Sequence, residues 1–229
     1  MMKPDVKVVI LGDMNVGKTS LLHRYTERRF QGTVSTVGGA FFIKQWGPHS
    51  VSIWDTAGRE QFHGLGTMYC RGAAAVILTY DVTNRQSLRE LEDRFLALTD
   101  TAQADCIFAV VGNKCDLTDE CAEIQETESE GQIPLTPSPR ACKQVLKEDA
   151  MYFYKQVIKY KMLDEKDFPM AEKMCFETSA KTGYNVDLLF ETIFELVVSH
   201  LLKKQVKPVQ TVDLGQSMKI KRTNSSCCT

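Results

Sequence analysis

Short runs of β-branched and aliphatic residues alternate with segments whose apolar residues recur every three or four positions. That alternation predicts an α/β fold built on a mainly parallel sheet. Strands are expected at residues 6–11, 40–46, 51–55, 73–81, 106–112 and 174–179. The run from Ala74 to Leu78 is apolar without alternation, as suits a central strand covered on both faces. Helices are expected at 17–27, 86–100, 143–162 and 185–203, the third carrying Leu146, Ala150, Phe153, Tyr154, Val157 and Ile158 on one stripe.

Two stretches break the rhythm. Residues 118–142 hold Glu, Thr, Ser, Gln and three prolines (Pro134, Pro137, Pro139) without apolar periodicity, and are expected to be a mobile surface insertion. From about residue 205 the chain carries Pro208, polar residues and basic ones, which predicts a folded domain over 1–204 and a disordered tail over 205–229. A hydrophobic fraction of 43% supports a sizeable core. The net charge of −1 argues against a general nucleic-acid binder, but the charges are segregated. Six acidic residues and no basic one lie between 119 and 130, whereas six basic residues and one acid, Asp213, lie between 203 and 222.

No stretch approaches the roughly 18 apolar residues that span a bilayer. Met1-Met2-Lys3-Pro4-Asp5 runs straight into the first strand, so no signal peptide is expected. Eight cysteines without such a leader are expected to be reduced thiols of a cytosolic protein. Cys106, Cys115 and Cys121 lack CxxC pairing, so no metal site is expected there.

Gly12-Asp13-Met14-Asn15-Val16-Gly17-Lys18-Thr19 fits GxxxxGK[ST] and sits between a strand and a helix, with Ser20 next. In such a loop the backbone N–H groups and the helix N-terminus face phosphates. Lys18 is expected to meet the β- and γ-phosphates, and the Thr19 hydroxyl to ligate Mg²⁺. Asn113-Lys114-Cys115-Asp116 follows a later strand. An Asp116 carboxylate accepts from both N1–H and N2 of guanine, a donor pair adenine lacks. That opposes a P-loop ATPase or kinase. Lys114 is expected to lay its stem over the base, and in Ser179-Ala180-Lys181 the Ala180 N–H is expected to reach O6. In Trp54-Asp55-Thr56-Ala57-Gly58, Asp55 would hold Mg²⁺ through water and the Gly58 N–H would bond the γ-phosphate. Thr36 would reach Mg²⁺ only when that phosphate is present, so hydrolysis would release both loops.

These five elements in this order resemble the Ras superfamily, and the details are similar to its Rab branch, over roughly residues 5–117 and 143–204. The stretch from Trp54 to Glu60 is similar to the Rab WDTAGQE signature, and Met68-Tyr69-Cys70-Arg71-Gly72-Ala73 to MYYRGA. The resemblance implies a P-loop small GTPase with a six-stranded, mostly parallel sheet and helices on both faces. It implies Mg²⁺ and GTP/GDP as ligands, hydrolysis of GTP to GDP and phosphate, and a switch that recruits effectors in vesicular traffic. Phe30 matches the aromatic that packs edge-on against guanine; Phe41, Trp54 and Tyr69 match the triad that meets effectors. The implied partners are an exchange factor, a TBC-type GTPase-activating protein, an escort protein with geranylgeranyl transferase, and a GDP dissociation inhibitor. The implied location is the cytoplasmic face of Golgi, endosomal or phagosomal membranes, with an escort-bound cytosolic pool.

Two residues depart from the family. Arg59 stands where relatives carry glutamine; a guanidinium has donors but no acceptor, so it cannot orient the attacking water as glutamine does. Gln61 is two residues out of register, and Met14 fills a P-loop position that is small in most relatives. Both substitutions imply slow intrinsic hydrolysis, or else a nearly constitutive GTP-bound membrane adaptor. A TBC-type partner would bring its own arginine and glutamine. At the end, Ser226-Cys227-Cys228-Thr229 does not fit CaaX but resembles the Rab CCX ending, with Cys227 and Cys228 each geranylgeranylated. Two lipid chains give the stable anchoring that one does not, and Lys219, Lys221 and Arg222 would add about 1 kcal/mol each at an anionic leaflet. Changing Cys227 and Cys228 to serine should therefore move the protein from the membrane pellet to the supernatant with nucleotide binding intact. Persistent pelleting would show that another anchor dominates.

Overall fold

The structure is a computed structural model that describes residues 5–33, 35–58, 63–118, 141–164, 166 and 168–206. Arg59, Cys227, Cys228, nearly all of the expected insertion and nearly all of the expected tail lie outside the described residues. Six strands form one sheet: β1 (Val6–Leu11), β2 (Gly39–Trp46), β3 (His49–Thr56), β4 (Ala75–Asp81), β5 (Ile107–Asn113) and β6 (Cys175–Glu177). Their order is β2-β3-β1-β4-β5-β6. Every neighbouring pair is parallel except the β2–β3 hairpin. All residues of β4 and of β5 are buried, so both faces of the sheet's centre are covered.

The helices are α1 (Lys18–Glu27), α2 (His63–Cys70), α3 (Arg85–Glu90), α4 (Lys147–Tyr160), α5 (Ala171–Met174) and α6 (Val186–Val206). α1 packs on α6 through Tyr25, whose ring stacks on Phe190 at 4.3 Å and meets Phe194 edge-on at 5.9 Å. The Glu191 carboxylate, on the same helix, accepts from the Tyr25 hydroxyl at 2.9 Å and from the Trp46 indole N–H at 2.5 Å. The far end of the β2–β3 hairpin is thereby fastened to both helices.

The helices differ from the sequence expectation in four places. The single helix expected over 86–100 is instead α3, a π-turn at Leu91–Phe95 and a 3-10 turn at Ala97–Thr101. The wider turn, closed by the Leu96 N–H on the Leu91 carbonyl, lets Leu91, Phe95 and Leu96 all face the core. α4 begins four residues later than expected because the Gln144 and Val145 N–H groups bond the Val82 carbonyl in extended backbone. Leu146 then falls at the N-cap, exposed and off the apolar stripe, with its N–H on Asp149 Oδ2. α2 and α5 were not expected: glycines at 64 and 66 weaken the first, and four residues carry no period in the second.

Phe190 is fully buried against Tyr25, so Phe190→Ala should destabilise the GDP-loaded protein by about 3–5 kcal/mol in urea unfolding. A loss below about 1 kcal/mol would mean that the α1–α6 contact is not part of the core.

Candidate nucleotide-binding site

Parallel strands send their connecting loops out at the carboxyl edge of the sheet, and four such loops meet there. The glycine-rich loop follows β1, Ala57–Gly58 follow β3, Lys114–Leu117 follow β5, and Ser179–Lys181 follow β6. They surround a cavity of about 270 Å³. Of the residues expected from sequence, Met14, Asn15, Gly17, Lys18, Thr19, Ser20, Phe30, Thr36, Gly58, Asn113, Lys114, Asp116, Ala180 and Lys181 line it. Gly12, Asp13, Val16, Asp55 and Ser179 do not; they stand behind the wall and bond to it. Lys18 Nζ donates to the Gly12 and Asp13 carbonyls at 2.7 Å each, and Asn113 Nδ2 donates to the Val16 carbonyl at 2.8 Å. Ser179 Oγ donates to Asp116 Oδ1 at 2.6 Å, which turns the carboxylate into one orientation.

Two glycines are required by close approach. Gly17 lies at φ +97°, and a Cβ there would meet Asn113 Nδ2 at 2.3 Å; a Cβ at Gly58 would meet the Met14 nitrogen at 2.5 Å. Asn113 is 1% exposed and works in two directions. Besides Val16, its Oδ1 accepts the Ala180 N–H at 3.1 Å and the Thr178 hydroxyl at 3.4 Å. The amide expected to meet O6 is thus already bonded to Asn113. Lys114, held at φ +68°, ties its ammonium to Asp81 Oδ2 at 2.7 Å, which fixes its stem along the cavity wall.

At the other end of the cavity three oxygen-bearing side chains converge. Thr19 and Thr36 both donate to Asp55 Oδ2, at 2.6 and 3.0 Å, and their hydroxyl oxygens lie 3.0 Å apart. Asp55 is 1% exposed, and its Oδ1 is buried without a hydrogen-bond partner among the described residues. A buried carboxylate oxygen left over beside two hydroxyls fits a small hard cation, for which oxygen donors are the rule. Burial raises the Asp55 pKa and pushes the Lys18 ammonium down to about 8, against the pull of Asp55 and Asp13. A desolvated cation beside open N–H groups favours an anionic occupant.

Sequence reasoning missed Thr33, Ser35, Thr56 and Leu117 on the wall and Asp81 behind it. Thr33 and Ser35 could have been found as polar neighbours of Thr36; Asp81 has no local signal, since its partner is Lys114. Phe41, Trp54 and Tyr69 lie apart from the cavity and form one row, with ring centroids 5.5 and 5.6 Å apart and Phe41 61% exposed.

The family model described as the Ras family matches residues 7–199. Ras-related protein Rab-20 of Homo sapiens is 66% identical over the whole of both chains, and that of Mus musculus 62%. The chain belongs to the Rab branch of the Ras family. The likeness to the Rab branch expected from the motifs is borne out. Ras-related protein Rab-31 of Rattus norvegicus is more distant, at 31% identity over 98% of this chain and 97% of its own. This protein is therefore a small GTPase: it hydrolyses GTP and belongs to a family of membrane-traffic switches that work with exchange factors, activating proteins, dissociation inhibitors and effectors. The sheet, with one antiparallel hairpin and otherwise parallel neighbours, is the expected α/β architecture.

Proposed function

We propose that this GTPase binds GTP and GDP in the 270 Å³ cavity, with Mg²⁺ beside Asp55, and cycles slowly as a prenylated switch on endocytic, phagosomal or Golgi membranes. The observation that carries the reading is the convergence of two chemistries on one cavity. A hydroxyl–carboxylate cluster (Thr19, Thr36, Asp55) lies at one end and an oriented carboxylate (Asp116) at the other. Thr19, Thr36 and Asp55 would hold Mg²⁺, which would supply positive charge to offset that of the phosphates. Lys18 would leave the Gly12 and Asp13 carbonyls for the phosphates, and the amides of Met14 to Thr19 would hold the remaining phosphate oxygens. The Gly58 N–H would meet the γ-phosphate. Thr36 would lose its reason to stay beside Asp55 once that phosphate leaves, which would release the segment that precedes β2. Because β2 carries Phe41 and β3 carries Trp54, effectors meeting that row would sense the change. The compartment rests on the Rab resemblance as a whole; the two prenyl groups on Cys227 and Cys228, with the escort protein and geranylgeranyl transferase they imply, rest on the likeness of Ser226–Thr229 to the Rab CCX ending.

The second reading, a nearly constitutive GTP-bound adaptor, draws on Arg59 and on Met14, which is 43% exposed at the cavity wall. Catalysis of phosphoryl transfer is positioning and charge stabilisation, so a misplaced water costs on the order of tenfold or more.

Guanine selection is tested with Asp116→Asn. The amide donates where the carboxylate accepted, so it should pair with xanthine O2, and XTP should compete with fluorescent GDP far better than it does for the wild type. An unchanged preference for GTP over XTP would remove Asp116 from the base site. Turnover is tested by single-turnover phosphate release from the wild type, Arg59→Gln and Arg59→Ala. The glutamine variant should be faster by about tenfold, and the alanine variant as slow as the wild type. If the wild type is the fastest of the three, Arg59 acts in cis as an arginine finger instead.

A further inference from the structure

Arg24 lies on the helix that begins with the phosphate-loop lysine, yet its guanidinium points to the other end of the site. Nε donates to the Ala180 carbonyl at 2.7 Å, and one terminal nitrogen donates to the Lys181 carbonyl. The other terminal nitrogen donates to the Arg28 carbonyl at 3.3 Å, which closes the fork onto its own helix end. A peptide unit is planar and trans, so its N–H points away from its C=O. Fixing the Ala180 carbonyl on Arg24 therefore turns the N–H of the same peptide, carried by Lys181, to the opposite side. Ala180 and Lys181 both line the cavity, and the Lys181 N–H has no partner among the described residues. The neighbouring Ala180 N–H is already committed to Asn113 Oδ1. A cation on the carbonyl also polarises the peptide and strengthens its N–H as a donor.

We propose that Arg24 is a positioning residue for base recognition: it aims and polarises the Ala180–Lys181 peptide so that the Lys181 N–H donates to the keto oxygen at C6 of guanine. Adenine carries an amino group at that place and would set donor against donor. The inference rests on the base-site reading above and adds the residue that orients the O6 donor.

The test compares the dissociation of GDP and of 6-thio-GDP, whose sulfur is a poor acceptor, from the full-length protein. The wild type should release 6-thio-GDP about tenfold faster than GDP, the equivalent of one hydrogen bond. In Arg24→Ala, GDP should leave about tenfold faster than from the wild type, and the gap between the two nucleotides should shrink to about twofold. Arg24→Lys, which keeps a cation but can hold only one carbonyl well, should give an intermediate gap and serves if the alanine variant does not fold. Equal acceleration of both nucleotides, with the gap unchanged, would show that Arg24 only braces the loop and would overturn the proposal. If the wild type shows no preference for GDP over ADP, the base-site reading itself fails, and the proposal with it.

Discussion

The Asn113 carboxamide bonds in two directions at once, and the geometry of the site depends on that. Its Nδ2 holds the Val16 carbonyl of the phosphate loop, while its Oδ1 holds the Ala180 N–H of the base loop. The two loops leave different strands, and each has ties of its own: the Ser179 N–H bonds the Tyr184 carbonyl and the Gly183 N–H the Ser179 carbonyl, while Lys18 holds the Gly12 and Asp13 carbonyls. Asn113 sets one loop against the other, and a buried donor or acceptor left without its partner costs about 1–3 kcal/mol. Because Gly17 carries no Cβ to strike the same side chain, the turn into α1 can sit this close to β5. Phosphate binding and base binding are therefore not separate modules. Arg24 adds a second tie from α1 to the same base loop, at the carbonyls that Asn113 leaves open.

What was legible in the sequence is what backbone chemistry imposes locally. The glycine-rich loop could be read because only that residue pattern permits a positive φ and close approach in front of a helix. The strands of the centre could be read because burial on both faces removes alternation. The site residues at strand ends followed from the same logic. The misses are of a different kind. The π-turn at Leu91–Phe95 answers a packing need of three apolar side chains and leaves no glycine or proline behind. Leu146 reads as part of a helical stripe, yet the backbone around it is claimed by Val82 across the fold. Asp81 serves Lys114, and Arg24 serves residues 180 and 181. Such partnerships exist only after the sheet has brought distant segments together, and no local period records them.

The aromatic row and the hydroxyl–carboxylate cluster share strand β3. Asp55 and Trp54 are adjacent on β3, so their side chains point to opposite faces of the sheet. One faces Thr19 and Thr36, and the other joins Phe41 and Tyr69. A displacement of β3 cannot spare either face. At the far end of the hairpin, Trp46 is bonded to Glu191, which also holds Tyr25. One carboxylate thus ties the hairpin to α1 and α6. At the start of β1, Lys7 stands 4.7 Å from the Trp54 ring centroid and donates to the Arg71 carbonyl.

Binding and turnover make unequal demands on this architecture. The four charged side chains proposed to hold the nucleotide and its cation are themselves held: Lys18 by two carbonyls, Asp116 by Ser179, Lys114 by Asp81, Asp55 by two threonines. Changing one of them removes a ligand contact and also strands its partner, so substitutions there carry a folding cost. Met14 is different. Its side chain is exposed at the cavity wall, and the close approach of Gly58 is to its backbone nitrogen, which any residue supplies. Position 14 can therefore change without loosening the scaffold, whereas Lys18, Asp116, Lys114 and Asp55 cannot.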